Sequence, residues 1–240
     1  MSDLNPRQQQ AVQYLDGPLL VLAGAGSGKT RVITRKIVHL IENAKLSPSH
    51  ITAVTFTNKA AREMKNRVKQ AFPNDNAKGL KISTFHTLGL TILRQEFALA
   101  GLKKGFTLMD QEDSKNAIRE LLKTDKSEDQ ADLLQWQISN WKNAMVSPQK
   151  ALSLADSDGE YDLAQKYLAY QELLQAYNAV DFDDLLRLPV EILTRDSQIR
   201  DKWQNRIRYL LVDEYQDTNN AVRPGTPAGG CTPGTDSGWR

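Results

Sequence analysis

The sequence has a single cysteine and no long apolar run. Cys231 is the only cysteine among 240 residues, so an internal disulfide and a thiolate metal cluster are excluded. No stretch approaches the ~18 consecutive apolar residues that a transmembrane helix needs, and the first residues lack the basic and apolar segments of a signal peptide. We therefore expect a cytoplasmic protein without a membrane partner.

A large net charge is also absent. The 31 Lys and Arg residues offset 29 Asp and Glu residues, which leaves a formal charge of +2. This balance neither requires nor excludes nucleic acid as a partner. The length allows one large domain or two smaller ones with a substantial core. The function therefore has to be inferred from motifs.

Residues 23–30 have the pattern of a phosphate-binding loop (P loop). Its three glycines let backbone N–H groups close around phosphate oxygens. Lys29 can reach the β- and γ-phosphates, and Thr30 can give its hydroxyl to Mg²⁺. Ala23 replaces the usual first Gly, at a position that forms the turn more than it contacts phosphate. We predict that these residues bind the nucleotide: Ala23, Gly24, Ala25, Gly26, Ser27, Gly28, Lys29, Thr30 and Arg31.

Short apolar runs predict a parallel sheet around this loop. Leu19–Leu22, Ile51–Phe56 and Tyr209–Val212 are apolar and end in polar residues, and Leu80–Ser83 is a weaker fourth run. Such strands, separated by helices, are typical of a parallel sheet covered on both faces. Ligands bind such sheets beyond the carboxyl ends of the strands. Residues Thr30–Asn43 are predicted to form the helix that follows the loop.

The pattern becomes helical from about residue 88 to residue 178. Because the strand pattern returns at Tyr209, we predict an all-helical insertion within an α/β domain. Four segments have apolar residues at helical spacing: Leu90–Leu99, Ala117–Leu122, Leu133–Trp141 and Leu163–Tyr177. Three tryptophans are expected in the core of helices: Trp136, Trp141 and Trp203. Three acidic residues are interpreted as local caps and not as a metal site: Asp181, Asp183 and Asp184.

Adjacent carboxylates follow the last predicted strand. Tyr209–Val212 leads directly into Asp213 and Glu214. In a P-loop site one carboxylate holds Mg²⁺, and a neighbour orients and deprotonates the attacking water. We predict Asp213 as a metal ligand together with Thr30, and Glu214 as the general base. Lys29 completes the catalytic set.

With these motifs in place, the chain resembles the N-terminal part of the Rep/UvrD-type superfamily 1 DNA helicases over residues 1 to about 219. The other matching stretches are Leu4–Gln8, Ala53–Ala61, Ser83–Thr87 and Val180–Leu185. The resemblance implies a RecA-like P-loop NTPase fold, with a motor domain over residues 1–87 and 179–219 and a helical insertion over residues 88–178. It also implies ATP and Mg²⁺ as cofactors. The implied activity is 3′–5′ ATP-dependent unwinding of DNA in replication and repair, on single-stranded DNA and DNA forks.

The resemblance also implies roles for individual residues. Gln8 would read the adenine base. The implied single-strand contacts are Thr55, Phe56, Asn58, Lys59, Thr84 and His86. Other interpretations remain open, since Phe56 could fill the core, Asn58 and Lys59 could cap and solvate a helix, and His86 could be structural.

Two other classes of protein also remain possible. One is a stand-alone nucleotide and single-strand binding module without helicase activity, and the other is a nuclease-coupled relative of the helicases.

The resemblance ends after Asn219. Residues 220–240 are rich in Gly, Pro, Thr and Ala, a composition that cannot bury a core face and predicts a disordered tail. A sharper hypothesis is a +1 frameshift near Asn219–Asn220. The codons of Thr235–Arg240 and a following stop can be written so that the shifted frame, extended by one T, encodes Leu-Thr-Val-Val-Gly-Asp-Asp, a strand expected from the family. The chain would then be a fragment that cannot unwind DNA.

The frameshift hypothesis predicts the DNA that follows the stop codon. In the shifted frame it should encode Gln-Ser-Ile-Tyr and then a second RecA-like domain, which sequencing of the gene will test. Downstream DNA without a helicase-like frame would contradict the hypothesis.

Overall fold

A computed structural model of the chain describes residues 4–24, 26–74, 76–122 and 128–215. None of the helices in these segments has the length and apolarity to span a bilayer. In chain order the elements are α1 (Pro6–Gln13), α2 (Lys29–Glu42), β1 (Ile51–Thr55), α3 (Asn58–Ala71), β2 (Lys81–Thr84), α4 (Phe85–Glu96), β3 (Thr107–Leu108), α5 (Gln111–Leu122), α6 (Glu128–Asn143), α7 (Pro148–Leu154), α8 (Asp158–Ala176), β4 (Ala179–Val180), α9 (Asp184–Arg195), α10 (Ser197–Arg206) and β5 (Tyr209–Val212).

The described residues divide into two compact units, one formed by residues 4–85 and 197–215 and the other by residues 86–196. The first unit contains a three-stranded sheet in the order β2-β1-β5. Both pairings are parallel, with Ala53 opposite Ile82 on one side and opposite Leu211 on the other. The predicted parallel sheet is therefore confirmed. The domain boundaries inferred from the family resemblance stay a prediction.

The core of the first unit lies around the sheet. All five residues of β1 are buried, as expected for the central strand of a parallel sheet. Helices α2 and α3 contribute apolar side chains at helical spacing. The predicted helix at Thr30–Asn43 is confirmed to within one residue at each end. The buried cluster consists of Ile37, Ala53, Ala61, Met64, Val68, Phe72 and Ile82.

The predicted strand at Leu19–Leu22 is wrong. Residues 18–24 have no regular secondary structure, and the exposed fractions of Leu20 and Leu22 are 61% and 87%. A strand requires a neighbouring strand for its backbone N–H and C=O groups. None of the strand pairings in the described residues includes this segment. An apolar run alone therefore did not determine its conformation.

The second unit consists mainly of α4 to α9. The predicted helical segments are confirmed, and each helix extends beyond the predicted range on at least one side. The expectation of an all-helical insertion over residues 88–178 is wrong in one detail, because β3 lies within it and pairs in parallel with β4, which follows the predicted boundary. The core joins residues from several helices and from β4: Ala117, Ile118, Ala131, Leu134, Ile138, Ala151, Ala164, Tyr167, Tyr170, Leu174 and Ala179.

The three tryptophans have different environments. Trp203 is buried, and Trp141 stacks on Tyr167 with ring centroids 5.4 Å apart. Trp136, which was predicted to lie in the core, is 63% exposed. The buried face of α6 is formed by Leu134 and Ile138. Trp136 lies midway between them in sequence and so projects to the opposite side of the helix.

The prediction that three acidic residues cap the start of α9 is confirmed for Asp181 only, since Asp183 occupies the N-cap position without a side-chain capping hydrogen bond and Asp184 is the first residue of the helix. Asp181 and Asp184 also form a buried ion-pair network. Asp181 accepts a hydrogen bond from the backbone N–H of Asp184 at 2.9 Å, at the start of α9. The Lys142 Nζ lies 2.6 Å from Asp181 Oδ2 and 3.0 Å from Asp184 Oδ2. Tyr170 OH donates to Asp181 at 3.0 Å, and Arg187 pairs with Asp184 at 2.9 Å. The network joins α6, α8 and α9 inside the second unit.

We predict that Lys142→Met destabilises the protein by about 3–5 kcal/mol, because it leaves two buried carboxylates without their ammonium. The matched control is Lys115→Met, since Lys115 pairs with the 55%-exposed Asp132 and a surface pair contributes about 1 kcal/mol or less. Urea unfolding followed by circular dichroism measures both free energies of unfolding. Equal losses of unfolding free energy in the two variants would contradict the prediction that the buried network stabilises the protein more than the exposed pair does.

Candidate nucleotide-binding site

The P loop leaves the backbone open to a ligand. Gly26 and Gly28 have φ angles of +73° and +84°, a left-handed conformation that glycine adopts without strain. A Cβ added at Gly24 would meet no described atom within 4 Å. Gly28 precedes α2 as its N-cap, so the first N–H groups of that helix face the loop without a capping side chain. Ala25 lies outside the described residues.

The carboxylates lie at the carboxyl end of β5. The Asp213 N–H donates to the carbonyl of Val54 at 2.9 Å and so continues the pairing of β5 with β1. Asp213 is buried, and burial together with the charge of Glu214 raises the pKa of Asp213 above its ordinary value. Glu214 has a φ of +55°, which is uncommon for a non-glycine residue and is found preferentially at functional sites.

The loop and the carboxylates meet through Lys29. The Lys29 Nζ lies 3.9 Å from Glu214 Oε2, and the two side chains are 29% and 40% exposed. An ion pair this long and this accessible contributes little to stability. Its geometry instead places a cation and a carboxylate where both can be reached by a ligand.

Gln8 connects α1 to the P loop. Its Nε2 donates to the carbonyl of Ser27 at 3.0 Å, and its Oε1 accepts from the backbone N–H of Asn5 at 2.9 Å. Asn5 Oδ1 in turn accepts from the Gln8 N–H at 2.9 Å, which completes a capping box. The structure therefore places the predicted base-reading residue directly beside the predicted phosphate-binding residues.

The side chains predicted to bind Mg²⁺, those of Thr30 and Asp213, are of types that suit this ion. Thr30 is half-buried in the first turn of α2, and its carbonyl accepts a hydrogen bond from Thr34 Oγ1 at 2.9 Å. The pKa of the Asp213 carboxylate is raised, because its burial and the charge of the neighbouring Glu214 outweigh the opposing effect of the Lys29 ammonium. A hydroxyl and a carboxylate are the ligand types that Mg²⁺ prefers. Ala23 and Arg31 are exposed at the two ends of the loop.

Three of the predicted DNA contacts are accessible in the first unit. Phe56 is half-buried, with its ring centroid 5.3 Å from that of Phe85 at an interplanar angle of 57°. Asn58 and Lys59 are exposed in the first turn of α3. The interpretation of Asn58 as the cap is wrong, because the Thr57 hydroxyl accepts the hydrogen bond from the Ala60 N–H.

Thr55 and Thr84 have a different environment. Both are buried, with 1% and 6% exposure, at the carboxyl ends of β1 and β2. Their side chains cannot touch DNA in this conformation, so their assignment as contacts stays a prediction that would require a rearrangement. His86 belongs to the second unit, where burial lowers its pKa. Its ring meets that of Phe182 edge-on, with centroids 5.8 Å apart.

Sequence reasoning did not identify Lys36 on α2, which is buried and contacts α1. A signal for it exists in the sequence. Lys36 lies on the apolar face of α2, three residues after Ile33 and four before Leu40. A lysine in that register has to find acceptors inside the fold.

Comparisons with known proteins show which family this chain is similar to. The family model of the UvrD/REP helicase N-terminal domain matches residues 4–223. The ATP-dependent DNA helicase Rep of Escherichia coli (strain K12) is 52% identical over 220 residues, which are 91% of this chain and 33% of that protein. The ATP-dependent DNA helicase PcrA of Leuconostoc citreum is 40% identical over 221 residues, which are 91% of this chain and 30% of that protein.

The chain thus spans about a third of the length of the curated relatives that it matches. The family match, in contrast, extends over most of the chain and includes both the P loop and the carboxylates after β5. The chain belongs to the UvrD/REP helicase N-terminal domain family.

Proposed function

We propose that this chain is the N-terminal, ATP- and single-stranded-DNA-binding part of a 3′–5′ ATP-dependent DNA helicase that acts at DNA forks in replication and repair. The observation that carries the proposal is the approach of Lys29 Nζ to Glu214 Oε2 at 3.9 Å. It joins a phosphate-binding loop to a strand-end carboxylate pair, the two halves of a P-loop hydrolase site. The names of the relatives, ATP-dependent DNA helicases, support the same activity.

Each side chain has a proposed role in ATP hydrolysis. The backbone N–H groups of residues 24–28 and the Lys29 ammonium hold the phosphates. Mg²⁺ bound to the phosphates would neutralise charge that develops on the transferred group. Thr30 and Asp213 would hold that ion, and Glu214 would accept a proton from the attacking water. Gln8 would contact the adenine base from α1.

The proposed fold is a RecA-like motor domain with a helical insertion. The parallel order β2-β1-β5 and the position of Asp213 beyond β5 support it. The proposed domains are residues 1–87 and 179–219 for the motor and residues 88–178 for the insertion. We propose that nucleotide and DNA binding reside in this chain, whereas unwinding requires the second motor domain that the family resemblance implies.

The proposed DNA contacts begin with Phe56, where a nucleotide base stacked on the ring is worth ~1–3 kcal/mol. Phe85 supports the ring from the protein side at 5.3 Å. Lys59 and Asn58 are exposed at the start of α3, and a helix N-terminus favours a DNA phosphate. His86 is proposed as a further contact from its own unit.

Replacement of the P-loop lysine tests the nucleotide site. We predict that Lys29→Ala lowers the affinity for Mg·ATP about ten- to a hundredfold, because charge-assisted hydrogen bonds to phosphate are lost. The free energy of unfolding should change by less than ~1 kcal/mol, since the pair with Glu214 is long and exposed. Calorimetric titration measures the affinity, with Lys65→Ala on the exposed face of α3 as the control. Unchanged ATP affinity in Lys29→Ala would refute the site.

We predict that the carboxylates of Asp213 and Glu214 have different roles. Glu214→Gln should retain Mg·ATP binding and lose residual hydrolysis, because the amide cannot accept a proton from water. Asp213→Asn should instead weaken the dependence of ATP binding on Mg²⁺. Phosphate release and titration at several Mg²⁺ concentrations measure the two effects. Parent rates of hydrolysis in both variants would show that these acids do not form the site.

A further inference from the structure

Lys36 lies two turns after the P-loop lysine on α2. Seven residues separate Lys36 from Lys29, which puts the two side chains on the same face of the helix, about 10 Å apart along its axis. Lys29 is partly exposed at the loop, but Lys36 is only 4% exposed. A lysine is almost never buried to this extent unless its ammonium has partners.

The partners are backbone carbonyls at the end of α1. Lys36 Nζ donates to the carbonyls of Ala11 at 3.2 Å and Val12 at 3.0 Å, and also to that of Tyr14. Carbonyls at a helix carboxyl end have no partner within the helix and carry the negative end of its dipole. The three acceptors match the three N–H donors of an ammonium group. Lys36 thus caps α1 from a neighbouring helix.

The same ammonium also lies against the strand that carries the carboxylates. Its Nζ is 5.5 Å from the centroid of the Tyr209 ring, at the first residue of β5. Burial lowers the pKa of Lys36 to about 8. The side chain of Lys36 therefore contacts two other elements. One is α1, which carries Gln8, and the other is β5, which leads to Asp213. Its own helix, α2, begins at the P loop.

Helix α1 depends on such polar contacts for its position. It has eight residues, and Val12 is its one buried residue. A helix this short is marginal without tertiary support, and one buried side chain supplies little. The capping box of Asn5 and Gln8 fixes its first turn, and Lys36 fixes its last. Gln8 belongs to the first of these attachments, and its amide donates to the Ser27 carbonyl at 3.0 Å.

We infer that Lys36 is a positioning residue for base recognition, which holds α1 so that Gln8 stays beside the P loop and meets the base of the bound nucleotide. The inference rests on the proposed nucleotide site and adds a specificity determinant to it. Lys36 itself touches neither phosphate nor base in this arrangement. Its loss should affect the part of the binding energy that comes from the base and spare the part that comes from the phosphates.

The experiment compares Mg·ATP with magnesium-bound inorganic triphosphate, which has no base. Calorimetric titration of the 240-residue chain gives both affinities for the parent, Lys36→Met, Lys36→Arg, Gln8→Ala and the Lys36→Met/Gln8→Ala double variant. Met matches the length of Lys without its donors, and Arg retains a charged donor group. Lys142→Met is the control for the loss of a buried lysine, since Lys142 lies in the second unit.

We expect Lys36→Met to lower the affinity for ATP about tenfold, the effect of a lost hydrogen bond, and to change the affinity for triphosphate less than about twofold. Gln8→Ala should cause the same loss, and the double variant no more than either single one, because both changes remove the same interaction. Lys36→Arg should restore most of the ATP affinity. Lys142→Met should leave the ratio of the two affinities unchanged.

Three results would overturn the inference: equal losses for ATP and triphosphate, additive losses in the double variant, or parent affinities in Lys36→Met. If Lys36→Met does not fold, Lys36→Gln carries the same comparison. A parent chain that binds neither ligand would instead refute the proposed nucleotide site. The failure of the inference and the failure of the proposed function are therefore distinguishable.

Discussion

The parallel pairing of β5 with β1 holds the candidate site together. The whole second unit lies between these strands in the sequence, yet Val54 pairs with Val212 and accepts a hydrogen bond from the next residue, Asp213. This register puts the carboxylates of Asp213 and Glu214 at the carboxyl edge of the sheet. Without it Lys29 would have no acidic partner at 3.9 Å. The loop motif is local, but the candidate site also requires this long-range contact.

Two buried lysines stabilise the fold in chemically different ways. Lys142 is neutralised by the carboxylates of Asp181 and Asp184, so its removal leaves charge behind in the core. Lys36 is held by carbonyl dipoles, which satisfy its hydrogen bonds but carry no full charge. Its burial accordingly lowers its pKa to about 8. The first arrangement joins helices within a core, and the second joins α2 to the end of the short helix α1.

The sequence allowed correct predictions where local and tertiary preferences coincide. Three features were predicted: the buried strand β1, the amphipathic helix α2 and the acids after β5. Burial on both faces of a strand, or on one face of a helix, leaves a clear pattern of apolar residues in the sequence. Leu19–Leu22 has the same apolar composition as a strand but remains exposed and unpaired with any described strand. Composition would place an apolar Trp inside the protein and a charged Lys at its surface, but Trp136 is exposed and Lys36 is buried. Their environments follow from helical phase and from acceptors on another helix, neither of which composition reveals.

Burial also divides the predicted DNA contacts according to position in the chain. Within one unit, the residues at the ends of strands, Thr55 and Thr84, are buried, whereas Phe56 and Lys59 follow β1 and are at least partly exposed. In β1 and β2 the last residue is buried, and after β1 the next residue, Phe56, is the first that is partly exposed. A motif that runs through a strand end therefore combines residues that build the sheet edge with residues that can meet a ligand. Resemblance alone assigns both kinds to DNA, and only the second kind can contact it without a change in the sheet.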